Sequence, residues 1–336
     1  MALIDEIREQ PDTLVRAIAE NSVAFADVAR AVSSCTHVVI AARGTSDNAA
    51  RYAQYVWGIR NGLSVSLATP SLFSLYRRPP SLGGALVVGI SQSGQSPDIV
   101  SVLEEGRRQG RPTTAITNDP ESPLAATADI VVPLNSGPEL AVAATKTYTA
   151  QLAVIAAISD AMAATPAGVS DLADLAARAL GAEQQARAAA GLLVGVEHAA
   201  VLGRGFNLAT AFEWALKMQE LSYVVAQPFS TADFLHGPVA VVDRGYPVLA
   251  VVADGPTAHD VLEAVARATQ RGAPTVLLTN TDVDSQEGII QFPSAPEWLT
   301  PIPAIVAAQL FTYHLTLAQG NDPDSPRGLS KVTKTT

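Results

Sequence analysis

Two hydroxyl-rich segments carry the clearest chemical signal in the sequence. Gly44-Thr45-Ser46 follows one apolar run, and Ser91–Ser96, which reads Ser-Gln-Ser-Gly-Gln-Ser, follows another and precedes a helical pattern. Hydroxyls, a glycine that lets the backbone approach closely, and a helix N-terminus together favour binding of a phosphate dianion. Serines at such positions can also serve only as helix caps. Four serines and a threonine on two neighbouring loops nevertheless favour a phosphate site.

Acid–base side chains lie in the second half of the chain. The helical segment Asn207–Tyr223 carries Glu213, Lys217 and Glu220, and the last two are three residues apart and so share a face. A solvated ion pair is the ordinary explanation of this spacing. A general base is the alternative, because a positioned carboxylate can accept a proton from a bound substrate.

Two further residues could titrate or react. His236 lies at a Gly-Pro turn, where its ring can act as acid or base near neutral pH, although a single loop histidine is more often only exposed. Lys331 lies in the tail after Arg327-Gly328-Leu329-Ser330 and is unremarkable by composition. Neither residue indicates a function by itself.

The elements that must position these groups belong to an internal repeat. His37–Ser46 (HVVIAARGTS) aligns with His198–Asn207 (HAAVLGRGFN), and Asp98–Asn118 aligns with Asp260–Asn280. The offsets are 161 and 162 positions, so a single insertion reconciles them. Two matches in the same order at nearly equal offsets indicate a duplication. The hydroxyl loops belong to the first copy, and the acid–base residues belong to the second.

Each copy alternates continuous apolar runs with amphipathic helices, which predicts an α/β fold with two tandem doubly wound, flavodoxin-like parallel sheets. Ligands of such sheets bind beyond the carboxyl ends of the strands, where both hydroxyl loops fall.

We expect an N-terminal helix in residues 1–30, a first domain in 31–165, a helical connection in 166–195, a second domain in 196–319 and a tail in 320–336. The predicted strands are Val38–Ala42, Ala85–Ile90, Thr113–Thr117, Ile130–Pro133, Ala200–Gly203, Val248–Val252, Thr275–Leu278 and a piece near Ile289–Phe292, and the predicted helices outside the sheets are Ile4–Ala29, Asp171–Leu193 and Ala304–Leu317.

Composition limits the ligand and the compartment. The net charge of −10 disfavours nucleic acid as a partner. Cys35 is the only cysteine, so a disulfide within the chain and a cysteine-based metal site are excluded. The sequence shows neither a Walker A motif nor a GxGxxG after a first strand, so a nucleotide cofactor is not indicated. We expect no metal or redox cofactor either. The N-terminus does not read as a secretion signal, and the most apolar stretch, Leu152–Ala164, is too short to cross a membrane, so we predict a cytoplasmic protein without a membrane partner.

Taken together, the chain resembles the sugar isomerase (SIS) family over nearly its whole length, as two SIS domains in tandem. It is similar in layout to the isomerase half of glucosamine-6-phosphate synthases. The resemblance is carried by Gly44-Thr45-Ser46, Ser91-Gln92-Ser93-Gly94, Val142-Ala143-Ala144-Thr145-Lys146, Ala215-Leu216-Lys217, Glu220 with Ser222-Tyr223, His236-Gly237-Pro238, and Pro326 through Lys331.

The resemblance implies a role for each matching position. Glu220 matches the base that moves a proton between C1 and C2, and His236 matches a ring-opening residue that the neighbouring subunit supplies, which implies a homodimer. Lys331 matches a lysine able to form a Schiff base, and Lys217 matches a supporting cation. Val142 matches a backbone contact to the sugar. The implied sugar-phosphate ligands are Thr45, Ser46, Ser91, Gln92, Ser93 and Ser96.

Departures from the synthase pattern shape the functional hypothesis. Ala2 stands where a synthase has its catalytic cysteine, so glutamine-dependent synthesis is not expected. Phe229–His236 and the ending Ser330–Thr335 look more like stand-alone SIS-type deaminases, whereas Arg43 and Gln219 differ from residues frequent in the family. The hypothesis is therefore deamination of glucosamine 6-phosphate to fructose 6-phosphate and ammonia.

Several alternatives stay open at this point. The same apparatus could serve galactosamine 6-phosphate, a ketose–aldose isomerisation or a fructosamine-6-phosphate deglycase. A non-catalytic sugar-phosphate sensor would need the serine loops but has no need for Glu220, His236 and Lys331 together.

Overall fold

A computed structural model describes residues 1–283 and 288–331. The end of the deaminase-like tail, Val332–Thr335, therefore lies outside the described residues. Two five-stranded parallel sheets are present, with strand orders β2-β1-β3-β4-β5 and β10-β9-β8-β6-β7. The strands are β1 (His37–Ala41), β2 (Ser64–Leu67), β3 (Ala85–Ser91), β4 (Thr113–Thr117), β5 (Ile130–Pro133), β6 (His198–Gly203), β7 (Val225–Ser230), β8 (Val248–Val252), β9 (Thr275–Thr279) and β10 (Ile289–Gln291).

The two sheets have the same topology, which confirms the predicted fold class. Counted within each repeat, the strand order is 2-1-3-4-5 in both sheets, which is the flavodoxin-like order of a doubly wound sheet. The order reverses between the first and third strands of each repeat. Doubly wound sheets bind their ligands at such a switch point, beyond the carboxyl ends of those two strands.

Strands β2 and β7 were not predicted from the sequence. Both are edge strands, paired on one side only, β2 with β1 and β7 with β6. An edge strand is less buried than a central one, and its sequence can contain polar residues and proline. The segments Ser64–Leu67 (SVSL) and Val225–Ser230 (VAQPFS) therefore lack the continuous apolar run that marks the central strands.

The helices are more divided than the sequence predicted. The expected helix Ile4–Ala29 consists of three, and the expected connection Asp171–Leu193 consists of two. Asn21 ends the second helix, because its buried side chain donates to the carbonyl oxygens of Ala17 and Pro133. The helices are α1 (Ala2–Arg8), α2 (Gln10–Ala19), α3 (Ser22–Val32), α4 (Thr45–Asn61), α5 (Ser71–Ser74), α6 (Pro97–Arg108), α7 (Pro123–Thr127), α8 (Lys146–Met162), α9 (Leu172–Leu180), α10 (Glu183–Gly191), α11 (Leu208–Lys217), α12 (Thr231–Leu235), α13 (Ala258–Gln270) and α14 (Pro301–Ala318).

The chain divides into two compact units, each built on one sheet. The first-sheet unit contains Asp12–Glu139, Lys146–Ala173 and the tail from Ser330. Part of its core lies between β1, β3 and α6, where Val39, Val87 and Leu103 are buried together. Helix α8 is buried along nearly its whole length and supports the opposite face with α4.

The second-sheet unit contains Met1–Pro11, Leu140–Thr145 and Asp174–Leu329. Its central helix α14 is apolar on all sides and almost fully buried, as expected of a core helix. The segment Glu297–Ala318 has the length and apolarity of a membrane span, but 83% of its 18-residue apolar window is buried inside the protein. Length and composition therefore identify the α14 region, and not the predicted Leu152–Ala164, as the most span-like stretch of the described residues.

Candidate active site

The two hydroxyl loops lie side by side in the first-sheet unit. Strands β1 and β3 are hydrogen-bonded parallel neighbours, with Ala41 opposite Gly89. Gly44-Thr45-Ser46 leaves the end of β1 and starts α4, and Ser91–Ser96 leaves the end of β3 and starts α6. Gly44 has a φ of 53°, a left-handed conformation that glycine adopts without strain. The structure therefore brings together the predicted ligands Thr45, Ser46, Ser91, Gln92, Ser93 and Ser96.

Hydrogen bonds within the Ser91–Ser96 loop fix its shape. The Ser91 hydroxyl accepts from the Gly94 N–H at 3.1 Å, and the Ser93 hydroxyl accepts from the Gln95 N–H at 3.3 Å. Ser96 occupies the N-cap position of α6, yet its side chain makes no capping hydrogen bond within the described residues. Simple helix capping thus does not account for the Ser96 hydroxyl, which stays available to a ligand.

Gly94 is required by close packing beneath the loop. It has a φ of 62°, and a methyl group at this position would lie 2.1 Å from the Ser122 hydroxyl oxygen. The loop carbonyls are also fixed, because the Asn118 and Leu124 N–H groups donate to Gln92 and Gly94 at 3.1 Å each. The loop is consequently preorganised rather than loosely held, which lowers the entropic cost of binding.

Lys331 lies in the same unit and contacts Glu139, a residue that was not among the predicted site residues. Its ammonium is 2.7 Å from a carboxylate oxygen of Glu139, whose side chain is fully buried. Glu139 also accepts from the backbone N–H of Thr147 at 3.1 Å and from its hydroxyl at 2.8 Å. A buried carboxylate therefore holds the amine of the tail. No local pattern joins positions 139 and 331, so only tertiary structure could show this pair.

A second cluster of charged residues lies in the second-sheet unit. Lys217 is 2% exposed, lies 3.4 Å from the fully buried Glu213, and also contacts Glu220. Glu213 was not among the residues to which the sequence gave a role. The Glu220 side chain is 23% exposed, so this carboxylate is the one open to a ligand. The solvated ion pair that the spacing first suggested is therefore wrong, because Lys217 is removed from solvent.

Local helix geometry places these three residues. Helix α11 ends at Lys217 and continues as a π-helical turn over Met218–Ser222, which contains Glu220. Tyr223 then takes a left-handed conformation with a φ of 56°, and the Gln219 amide donates to the Ala226 carbonyl oxygen at 2.5 Å. π-Helical turns are rare and often occur at functional sites.

His236 and Val142 also lie in the second-sheet unit. His236 is exposed and follows α12, directly before Gly237, which has a φ of 146°. Val142 is half-buried in a segment that the buried carboxylate of Glu6 holds by accepting from the Leu140 and Ala141 N–H groups. Assembly of these residues with the hydroxyl loops into one site stays a prediction, as does the donation of His236 by a second subunit.

The second repeat fills its own loop region with a carboxylate. Thr257 donates to Glu297 at 3.3 Å, and a methyl group at Gly255 would lie 2.9 Å from the Glu297 carboxyl carbon. A methyl group at Gly205 would lie 3.9 Å from a carboxylate oxygen of Glu297, whereas at Gly44, the corresponding position of the first repeat, it would meet no described atom within 4 Å. Burial raises the pKa of the Glu297 carboxyl, Asp254 raises it further, and the Thr257 hydroxyl lowers it. The loops of the second repeat therefore have a carboxylate of the same chain beside them, whereas the space next to Gly44 in the first repeat is open.

Comparisons with known proteins agree with the predicted resemblance. The model of a family described as the SIS domain matches residues 31–159 and 192–318. The chain is 30% identical to the isomerizing glutamine–fructose-6-phosphate aminotransferase of Thermococcus kodakarensis, over 98% of this chain and 57% of that protein. The chain thus spans little more than half the length of that relative.

Solved structures show the same fold. The C-terminal domain of glucosamine-fructose-6-phosphate aminotransferase from Francisella tularensis superposes with a TM-score of 0.87 at 26% identity, covering 97% of this chain and 98% of that one. Glucosamine-6-phosphate deaminase from Thermotoga maritima superposes with a TM-score of 0.80 over all of both chains. Its identity is 18%, so this second likeness concerns the fold alone.

Proposed function

The chain belongs to the SIS domain family, and from this premise we propose that it deaminates an amino-sugar phosphate, converting glucosamine 6-phosphate and water into fructose 6-phosphate and ammonia. The observation that carries the proposal is the cluster in which a buried lysine, Lys217, lies between buried Glu213 and partly exposed Glu220. A protein that only senses a sugar phosphate has no use for this arrangement.

Phosphate binding supplies the orientation. The hydroxyls of Thr45, Ser46 and Ser96 and the N-terminus of α6 hold the phosphate group. Holding that end of the substrate fixes the distance to C1 and C2 and makes the proton transfer effectively intramolecular. Val142 contributes a backbone contact to the sugar.

Proton transfer by Glu220 is the central step. His236 of a second subunit assists opening of the pyranose to the aldehyde. Glu220 then removes the proton from C2 and returns it to C1, while the C1 oxygen takes up a proton from water. The aldehyde thereby becomes a CH2OH group and the C2 amine becomes an iminium ion. Water adds to C2, the C–N bond breaks, and ammonia leaves the ketose. Lys217 lies beside Glu220 and keeps its carboxylate in one orientation.

Lys331 can serve this sequence in two ways. It can polarise the substrate carbonyl as an ammonium, or it can form a Schiff base as a neutral amine. Reduction with borohydride in the presence of fructose 6-phosphate separates the two roles, because only a Schiff base leaves a stable adduct on the lysine.

An assay of purified protein tests the proposed reaction. Glucosamine 6-phosphate, galactosamine 6-phosphate and a fructosamine-6-phosphate adduct are supplied separately, and both ammonia and ketose phosphate are measured. We expect equal amounts of ammonia and fructose 6-phosphate from the first substrate. Binding of these sugars without turnover would instead identify a sensor, and amino acid release from the adduct would identify a deglycase.

Replacing Glu139 with Gln is expected to lower kcat about 10- to 100-fold, because Lys331 loses the charge that fixes its amine and small misplacements of catalytic groups are costly. Steady-state kinetics check this, with Thr147→Val as the control that removes one hydrogen bond to Glu139 but keeps its charge. A kcat for Glu139→Gln within twofold of the wild-type value would show that the pair only anchors the tail.

The proposed homodimer predicts complementation between inactive variants. Glu220→Gln and His236→Ala should each be inactive alone, and a mixture refolded together should recover about a quarter of wild-type activity, because half of the dimers regain one intact site. Sedimentation of the mixture confirms the dimer. If the mixture were no more active than either variant alone, His236 and Glu220 would act in a site of the same chain, or His236 would have no role in catalysis.

A further inference from the structure

Arg43 stands beside the hydroxyl loops and has no role in the proposed mechanism. It directly precedes Gly44, and it is the single basic residue in the two segments 43–46 and 91–98 that form the loops and the start of α6. The remaining groups there are hydroxyls, amides and one acid. A phosphate monoester carries close to two negative charges at neutral pH, and the chain itself has a net charge of −10. A cation at this position therefore has a large electrostatic consequence.

A buried carboxylate fixes the position of Arg43. The guanidinium Nε donates to an Asp98 carboxylate oxygen at 2.8 Å, and the Asp98 side chain is 1% exposed while that of Arg43 is 51% exposed. Asp98 lies in the first turn of α6, where the positive end of the helix dipole stabilises its charge. Because Arg43 follows β1 and Asp98 follows β3, this ion pair links the two loops.

The geometry of the pair leaves part of the guanidinium available. Asp98 engages Arg43 through Nε, and Asp98 is the hydrogen-bonding partner that the described residues give to this side chain. Both Nη groups lie on the half-exposed side chain and can donate in parallel. A planar pair of N–H donors matches two oxygens of a phosphate group. The ammonium of a lysine cannot reproduce this two-point geometry.

We propose that Arg43 binds the phosphate group of the substrate and makes the first repeat select phosphate dianions over neutral sugars. The inference rests on the proposed function, because it assigns a specificity residue to the same site. The hydroxyl loops give the phosphate its position, and Arg43 gives the site its preference for charge.

The second repeat provides an internal comparison. Arg204 and Asp260 occupy the positions that correspond to Arg43 and Asp98, and their ion pair measures 3.5 Å. Asp260 also accepts a hydrogen bond from Thr231. This repeat lacks the serine loops, and Glu297 already lies against its glycines. The same ion pair therefore exists in a repeat that has no serine loops. Substitutions of Arg43 and Arg204 can thus be compared to distinguish a binding role from a structural one.

Calorimetric titration of the full chain with fructose 6-phosphate, inorganic phosphate and fructose tests the proposal. We expect Arg43→Ala to weaken binding of fructose 6-phosphate and phosphate about 10- to 100-fold, the loss typical of a hydrogen bond between charged groups, and to leave fructose binding unchanged. Arg43→Lys should recover only part of the loss. The dependence of phosphate affinity on salt should also become weaker in Arg43→Ala.

Arg204→Ala is the matched control, and its affinity for fructose 6-phosphate should stay within twofold of the wild-type value. Thermal unfolding of both variants measures any structural contribution, and Arg43→Gln serves in place of Arg43→Ala if that variant does not fold. If the affinity of Arg43→Ala for phosphate stays within twofold of the wild-type value, the proposal for Arg43 is overturned, but the proposed function is not. A wild-type chain that binds neither phosphate ligand overturns the proposed function as well.

Discussion

Replacement of Glu220 with Gln is expected to lower kcat for ammonia release from glucosamine 6-phosphate by about 100- to 10,000-fold, the usual contribution of a general base. The substitution keeps the size of the side chain and its contact with Lys217 but removes the ability to accept a proton. KM should change little, because Glu220 is not among the proposed ligands of the phosphate group. Initial rates of ammonia and fructose 6-phosphate formation measure both constants.

Two controls make this result specific to proton transfer. Glu263→Gln removes an exposed carboxylate of the same unit, which pairs with Arg267, and should keep wild-type kinetics. Fructose 6-phosphate should still bind to Glu220→Gln, while exchange of solvent deuterium into its C1 position should be lost. Ammonia release at the wild-type rate by Glu220→Gln would remove this residue from the base role and leave the chemistry to another group.

Central strands of the fold could be predicted from the sequence because they are buried on both faces. Val248–Val252 and Thr113–Thr117 are completely buried and read as continuous β-prone runs, so their positions agree with the prediction. The edge strands Ser64–Leu67 and Val225–Ser230 were missed because pairing on one side leaves them partly exposed and free to carry polar residues. Sequence patterns therefore indicate directly which strands are buried, but only indirectly which segments are hydrogen-bonded in a sheet.

The candidate site was predictable where its chemistry is local. The Ser91–Ser96 loop combines glycine, hydroxyls and a following helix within six residues, and the structure gives it the expected place at the end of a strand. The contact of Glu139 with Lys331 could not be predicted, because 192 positions separate them. Burial of Lys217 did have a signal: Trp214, Ala215 and Met218 surround it in the sequence and are themselves buried.

The two repeats differ in a way that fits the proposed division between phosphate binding and acid–base chemistry. Both keep a glycine of positive φ after their first strand, Gly44 and Gly205. The first repeat continues with hydroxyls and stays open, whereas the second continues with Phe206 and has Glu297 against its loops. An internal carboxylate would repel a second phosphate, so we infer one phosphate site in each chain. The second repeat is then free to use the helix after its first strand for Glu213, Lys217 and Glu220.

Replacement of Lys217 with Met is expected to be the most destabilising change in this cluster, at about 3–5 kcal/mol of unfolding free energy near neutral pH. Met has nearly the length of Lys but no charge, so the substitution removes the ammonium that lies 3.4 Å from Glu213. Glu213 is fully buried, and a carboxylate in that position without its cation opposes folding. Urea-induced unfolding of the wild-type and variant chains measures the difference.

The double variant Lys217→Met with Glu213→Gln separates loss of charge from loss of packing. It should regain most of the stability, because an amide replaces the buried charge at nearly constant volume. Arg267→Met, which removes an exposed cation from its pair with Glu263, should cost less than about 1 kcal/mol. If Lys217→Met and Arg267→Met were equally stable, the buried cluster would not carry the electrostatic coupling that its geometry implies.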